Sequence, residues 1–221
     1  MGIAYLAAGI VASYLVGSVP FAYVFGRLLR GVDVRRVGSG NVGGTNLMRA
    51  AGKRWGALVI ALDLGKGACG AGLIAWLFYR NGMPVGYEVF GVICGAMAVV
   101  GHNWPVWLRF HGGKGVAASV GVFFALTPLA AACALGVWFV VLALTRIVSI
   151  SSMVASLSLT GWNLLFGSAR AYMIAGLVLA LLIVVMHRSN LVRLLRGTEL
   201  KVFARAAKST AETADRDATK G

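Results

Sequence analysis

Four polar stretches in an otherwise apolar chain carry residues suited to holding and transferring an anionic group. The first, "DVRRVGSGNVGGTNLMRAAGKR", runs from Asp33 to Arg54. Its glycines Gly38, Gly40, Gly43 and Gly44 let the backbone turn tightly, while Ser39, Asn41, Thr45 and Asn46 supply side-chain donors. Such a concavity suits an anion. Arg49 follows Asn46 by about one helical turn if a helix starts near Thr45, so its guanidinium reaches back towards an anion at the helix N-terminus. The same residues also describe a solvated loop capped by Thr45.

The second stretch is "RFHGGKGVAA", Arg109 to Ala118. Gly112, Gly113 and Gly115 around Lys114 place bare amides and one ammonium at the start of a short helix, an arrangement that fits phosphate. A flexible interfacial loop has the same composition. A Walker A loop is excluded, because Lys114 is followed by Gly115 rather than Ser or Thr and no strand precedes it. The third stretch, "TRIVSISS", sets Arg146 beside Ser149, Ser151 and Ser152, either for a polyol phosphate or to stitch helices together. In the fourth, "HRSNLVRLLRGTELK", His187 and Asn190 share a helix face, Arg193 follows, and Glu199 is expected to pair with a basic neighbour. His187 has the right ordinary pKa range to take a hydroxyl proton, a role a substrate phosphate oxygen also fits.

Asp63 and Lys66 stand apart in "LDLGKG", inside an apolar run where charge is costly and is usually paired or functional. They read as a structural ion pair, or as Lys66 reaching a phosphate with Asp63 restraining it. His102 reads as a phosphate contact or as a hydrogen-bonded structural histidine. His102 and His111 lack metal-ligand spacing, so no metal and no cofactor are expected. No histidine is followed five positions later by aspartate, and no Gly-x-Ser-x-Gly elbow occurs. Cys69, Cys94 and Cys133 are scattered in apolar runs and read as packing residues. An enzyme with this inventory works by orienting charged reactants rather than through a covalent intermediate.

The elements that position these groups are membrane helices. The chain has 221 residues, 59% of them hydrophobic and 13% charged. Its apolar residues fall into seven runs, 3–25, 55–78, 86–107, 115–127, 129–145, 149–166 and 170–187. A bilayer core of about 30 Å forces such runs to be helical. The fourth run is short and Pro128 separates it from the fifth, as a tight hairpin or one kinked segment, so the span count is seven within a range of five to seven. The first run lacks a basic n-region and reads as a retained span.

Of the 21 lysines and arginines, 18 lie in 26–54, 101–115, 146–148 and 188–221. The positive-inside rule then puts the N-terminus outside, the C-terminus in the cytoplasm and every motif at the cytoplasmic face. The net charge of +14 follows from the same rule and from attraction to anionic lipid, and there is no soluble basic domain for nucleic acid. Residues 1–202 read as one polytopic domain and 203–221 as a disordered cytoplasmic tail.

Taken together and in order, "GSVPFAYVFGR", "DVRRVGSGNVGGTN", "LDLGKG", "GHNWPVWLRFHGGKGVAA", "TRIVSISS" and "HRSNLVRLLRGTELK" resemble the acyl-phosphate-dependent glycerol-3-phosphate acyltransferase family of bacterial membranes. The resemblance covers Gly17 to Lys201 and implies a multi-pass enzyme of the bacterial cytoplasmic (inner) membrane. Its implied substrates are acyl phosphate and glycerol 3-phosphate, its products lysophosphatidic acid and phosphate. On the family's motifs, Ser39, Asn41, Thr45, Asn46 and Arg49 fall in the first, Gly112 to Gly115 in the second, and His187, Asn190 and Glu199 in the third. The chain departs from the family at His111, Ala118 and Gly44, where lysine, threonine and alanine are usual. The competing class is a transporter of phosphate or a phosphorylated metabolite. Such a protein needs polar groups at several depths, whereas here only Asp63 and Lys66 lie deep.

Overall fold

The computed structural model describes residues 1–80 and 82–202; the expected tail, 203–221, lies outside the described residues. Among these the ordered elements are all helical, as lipid demands of backbone N–H and C=O groups. In chain order they are α1 Gly2–Gly17, α2 Phe21–Arg30, α3 Gly44–Ala51, α4 Lys53–Ala68, a π-helical turn Cys69–Ile74, α5 Ala75–Phe78, α6 Tyr87–Asn103, α7 Val116–Leu126, α8 Pro128–Thr145, α9 Val148–Leu165, α10 Arg170–Met186 and α11 Arg188–Leu195.

Helices cover all seven apolar runs. Among the described residues five segments are long and apolar enough to cross a membrane, or six where α10 with α11, bent by 57°, counts as one span; α7 has only 11 residues. Thr127 breaks α7 from α8, and Pro128 begins the new helix at a position where its missing N–H costs nothing.

Packing is set by small residues. Gly9, Ser13 and Gly17 form a buried stripe on α1, which packs against α6. The crossing of α4 and α7 is tighter still. A Cβ at Gly67 would sit 2.0 Å from the Ala118 carbonyl oxygen, and one at Gly121 would sit 1.9 Å from that of Leu64. That contact brings the start of α7, with Lys114, beside α4.

At the polar end, α1 stops before Pro20 and the amphipathic α2 follows it within one candidate span, Gly2–Arg30. Asp33 caps a 3-10 turn by accepting from Arg35 N at 3.0 Å and holds the Arg35 guanidinium at 2.7 Å. Under this turn, Ala22, Val34, Leu47 and Val59 form a buried cluster that fixes α2, α3 and α4 together.

Candidate functional site

The polar end carries a cavity of about 530 Å³ that continues between the helices. Its mouth is lined by Ser39, Asn41, Thr45, Asn46, Arg49, Lys114, Ser149, His187, Asn190, Arg193 and Glu199. Residues from all four sequence motifs therefore meet at one place. Below the mouth the lining turns apolar, between α7, α8, α9 and α10.

The first motif folds around one side chain. Asn46, almost fully buried at the start of α3, donates through Nδ2 to the carbonyls of Val34 (2.8 Å), Val37 (3.1 Å) and Asn41 (3.1 Å), and its Oδ1 accepts from Ser39 N at 3.0 Å. Its amide is thus committed to shaping the loop, which leaves Ser39, Asn41, Thr45 and Arg49 to face the cavity. Gly44 packs so closely on α4 that a Cβ would sit 2.5 Å from the Gly56 oxygen.

The second motif differs from the expected nest of bare amides. Gly112 N donates to the Asn103 carbonyl and Gly113 N to the His102 carbonyl, each at 3.0 Å, so neither amide remains for phosphate. The glycines serve close approach instead. A Cβ at Gly112 would lie 2.2 Å from the His102 oxygen, and one at Gly113 would lie 2.0 Å from His102 Nε2. Gly115 takes a left-handed φ of 80° as the residue before α7. What the loop presents to the cavity is Lys114 and the first turn of α7.

Lys114 donates to Asn190 Oδ1, and Asn190 Nδ2 donates to Glu199 Oε1. Glu199 also accepts from Ser149 Oγ at 2.9 Å and from Arg193 Nε at 2.7 Å, the basic partner its sequence context called for. Gly197, with φ of 68°, turns the chain back over α11, and Val202 N donates to the Arg146 carbonyl at 2.9 Å. Glu199 thereby ties the segment after α11 to α9.

Burial pushes the Lys114 ammonium down to about 8; Arg193 and Arg49 add to the shift and Glu199 opposes it. Burial alone would raise Glu199, but hydrogen bonds from Asn190, Arg193 and Ser149 hold its carboxyl below the usual range. His187 Nδ1 lies 2.7 Å from the Ile183 carbonyl oxygen. A carbonyl only accepts, so Nδ1 carries the hydrogen and the neutral ring turns its lone pair out at Nε2.

Besides Gly112 and Gly113, three expected site residues sit off the cavity wall. Lys66 is bound to Asp63 Oδ1 (2.9 Å) and the Val19 carbonyl (3.0 Å) and lies 5.7 Å from the centre of the Phe21 ring. It is absent from the cavity wall, and its contacts are those of the ion pair with Asp63. Arg146, exposed at the end of α8, contributes its carbonyl rather than its side chain. Ser151 bonds its own helix at Ile147 O, 2.9 Å. Asp63 and His102 do reach the wall, joined by a 3.4 Å contact between His102 Nδ1 and Asp63 Oδ1.

Sequence reasoning missed Trp138, whose Nε1 donates to Ser152 Oγ at 3.2 Å, and the apolar lining, including Phe123 and Gly176. Among the described residues no group of three or more His, Cys, Asp or Glu could hold a metal ion.

A cation-rich mouth opening into an apolar slot, in a chain with several helices long enough to span a bilayer, defines a multi-pass membrane protein. A family model described as glycerol-3-phosphate acyltransferase matches residues 7–197, and the chain belongs to that family. The protein is an acyltransferase.

The glycerol-3-phosphate acyltransferase of Desulforudis audaxviator (strain MP104C) is 44% identical over 187 residues, covering 85% of this chain and 90% of the relative. That of Anaeromyxobacter dehalogenans (strain 2CP-1) is 46% identical over 198 residues, covering 87% and 95%. The crystal structure of PlsY (YgiH), an integral membrane glycerol 3-phosphate acyltransferase, in its glycerol 3-phosphate form, superposes with a TM-score of 0.82 at 36% identity, covering 95% of this chain and 98% of that one. Its lysophosphatidic acid form gives a TM-score of 0.78 at 35% identity, covering 89% and 94%.

Proposed function

We propose that the protein transfers a fatty acyl group from acyl phosphate to the 1-hydroxyl of sn-glycerol 3-phosphate, giving lysophosphatidic acid and phosphate. The observation that carries this reading is the division of one cavity into a cationic mouth and an apolar slot. Both proposed substrates bear phosphate and one bears a long apolar tail, so a single cavity of this kind takes the pair. The reaction runs in the bacterial cytoplasmic membrane, on seven spans with the N-terminus outside and the mouth facing the cytoplasm, as the placement of basic residues supports.

The hydroxyl oxygen attacks the acyl carbon, the bond from that carbon to the phosphate oxygen breaks, and phosphate leaves. Phosphate is a stable leaving group, so an enzyme nucleophile and an acyl-enzyme are unnecessary. The principal barrier is repulsion between two phosphates in a low-dielectric site. Arg49, Lys114 and Arg193 neutralise them, Ser39 and Thr45 add hydroxyl contacts, and Ser149, whose hydroxyl hydrogen goes to Glu199, helps to hold that carboxylate. Asn190 and Glu199 hold Lys114 and Arg193 in place. His187 Nε2 receives the hydroxyl proton.

The test is phosphate release by the purified protein in lipid nanodiscs, given palmitoyl phosphate with and without glycerol 3-phosphate, with palmitoyl-CoA as the control donor. Release that needs both substrates and yields lysophosphatidic acid is the expected result. Transfer from palmitoyl-CoA alone would reassign the donor.

A further inference from the structure

We infer that Gly176 on α10 and Phe123 on α7 form the end of the acyl slot and set the length of chain the enzyme accepts. This rests on the acyl-transfer reading above and adds to it a substrate preference and the residues that set it.

The slot's depth can be counted along its walls. On α8 the lining runs from Leu142 to Ala131, on α9 from Val148 to Leu159, and on α10 from Ile183, one turn before His187, to Gly176. From His187 to Gly176, and from Val148 to Leu159, is eleven residues, or about 16 Å at 1.5 Å of rise per residue. Half of a 30 Å hydrocarbon core is about 15 Å. The slot therefore runs for one leaflet's depth, which suits the chain lengths of the surrounding lipid rather than short acyl groups.

Small residues leave it open. Ala131 and Ala134 on α8, Ala155 on α9 and Ala180 with Gly176 on α10 line it where branched side chains would fill it. At the far end the walls meet. A Cβ on Gly176 would sit 3.3 Å from Thr160 Oγ1 and 3.8 Å from Phe123 Cζ. Phe123 is fully buried in the cluster with Ala130, Ala131, Leu159 and Leu179, so its ring is held firmly enough to act as a stop. A larger side chain at position 176 enters the space where the methyl end of the acyl chain lies, and loss of the Phe123 ring extends that space.

The experiment measures kcat/KM for acyl phosphates of 10, 12, 14, 16 and 18 carbons, with glycerol 3-phosphate fixed, for the wild type, Gly176→Leu and Phe123→Ala in nanodiscs. In Gly176→Leu, the ratio of 16-carbon to 12-carbon kcat/KM falls about 10-fold, the scale of a methylene or two refused by an apolar pocket. In Phe123→Ala, the ratio of 18-carbon to 16-carbon kcat/KM rises, and KM for glycerol 3-phosphate stays at its wild-type value in both variants. Profiles that superimpose on the wild type overturn the inference. If Gly176→Leu does not fold, Phe123→Ala decides alone, since an unchanged 18-to-16 ratio contradicts a stop at that ring. A wild type inactive with every acyl phosphate would instead remove the acyl-transfer reading itself, a result distinct from an active wild type with unmoved variants.

Discussion

His102 and Gly113 are joined at two points: the glycine N–H donates to the histidine carbonyl at 3.0 Å, and the imidazole packs where a glycine side chain would be, 2.0 Å from its Cβ position. The loop that carries Lys114 is thus seated directly on the end of α6, and His102 is in turn held by Asp63 on α4. Gly113→Ala has no space beside a buried ring, so the loop must lift and carry Lys114 away from Asn190. Acyl transfer by this variant is expected to drop by more than 10-fold. Gly136→Ala, with nothing within 4 Å of the added carbon, should match the wild type. Equal activities would show that the seat does not position the loop.

Lys66 makes a second prediction, about stability. Lys66→Met leaves the buried Asp63 carboxylate without its cation, a loss of about 3–5 kcal/mol. The double variant Asp63→Asn/Lys66→Met removes both charges and should recover much of the loss. The check is the thermal unfolding midpoint in detergent. A direct phosphate ligand would instead leave the midpoint unmoved and raise KM for glycerol 3-phosphate.

Glu199 joins α9, α11 and the segment after α11 through three accepted hydrogen bonds. Glu199→Gln keeps the shape but puts an NH2 in place of one carboxylate oxygen, where it meets either the Asn190 and Ser149 donors or the Arg193 donor with a donor of its own. A fall of about 10- to 100-fold in kcat/KM is expected, the range for losing a charge-assisted hydrogen bond. Steady-state kinetics on the purified variant measure it.

The Lys114 value of about 8 gives a pH prediction with a definite sign. Below that pH the side chain is an ammonium and attracts phosphate; as pH rises through it in the free enzyme, the proton and the attraction are lost. Substrate phosphate gains its second negative charge near pH 6. KM for glycerol 3-phosphate should be lowest between about 6 and 8 and climb above 8. Lys114→Arg keeps its charge at all these values, so its alkaline climb should vanish whatever its absolute activity. A wild-type KM that is flat to pH 9 would show that Lys114 does not titrate in the free site.

His187 is expected to act on turnover more than on binding. With its Nδ1 hydrogen committed to Ile183, only Nε2 is open to a substrate hydroxyl. His187→Gln should lower kcat by about 10²- to 10⁴-fold with little change in KM, whereas Arg49→Ala should raise KM. Near-normal turnover in His187→Gln, with activity lost in Arg49→Ala, would pass the proton to a substrate phosphate oxygen.

Much of this was legible in the sequence because bilayer physics is strict. Apolar runs had to be helices, and polar residues with four glycines between two of them had to do something other than face lipid. The meeting of Ser39, Arg49, Lys114, His187, Asn190 and Glu199 at one mouth agrees with the motifs. What could not be read was direction. Whether Gly112 and Gly113 offer their amides depends on the His102 and Asn103 carbonyls left over at the end of α6, a three-dimensional fact. Lys66 turns from the cavity to the Val19 carbonyl, which at the break around Pro20 accepts from Phe21 N and keeps a second lone pair for the ammonium. Ala131, Ala134 and Gly176 look like ordinary packing residues in a membrane helix, and only the assembled walls show that they leave a slot.

Direct attack on acyl phosphate, without an acyl-enzyme, is the central chemical step proposed for this protein. The deciding measurement mixes the protein with an equal amount of palmitoyl phosphate in a rapid-quench apparatus, first without and then with glycerol 3-phosphate, and follows phosphate and lysophosphatidic acid together. Direct attack predicts no phosphate before the acceptor arrives, and afterwards phosphate and lysophosphatidic acid appearing at the same rate and in equal amounts. A stoichiometric burst of phosphate before the acceptor is added, with the palmitoyl group retained on the protein, would contradict it.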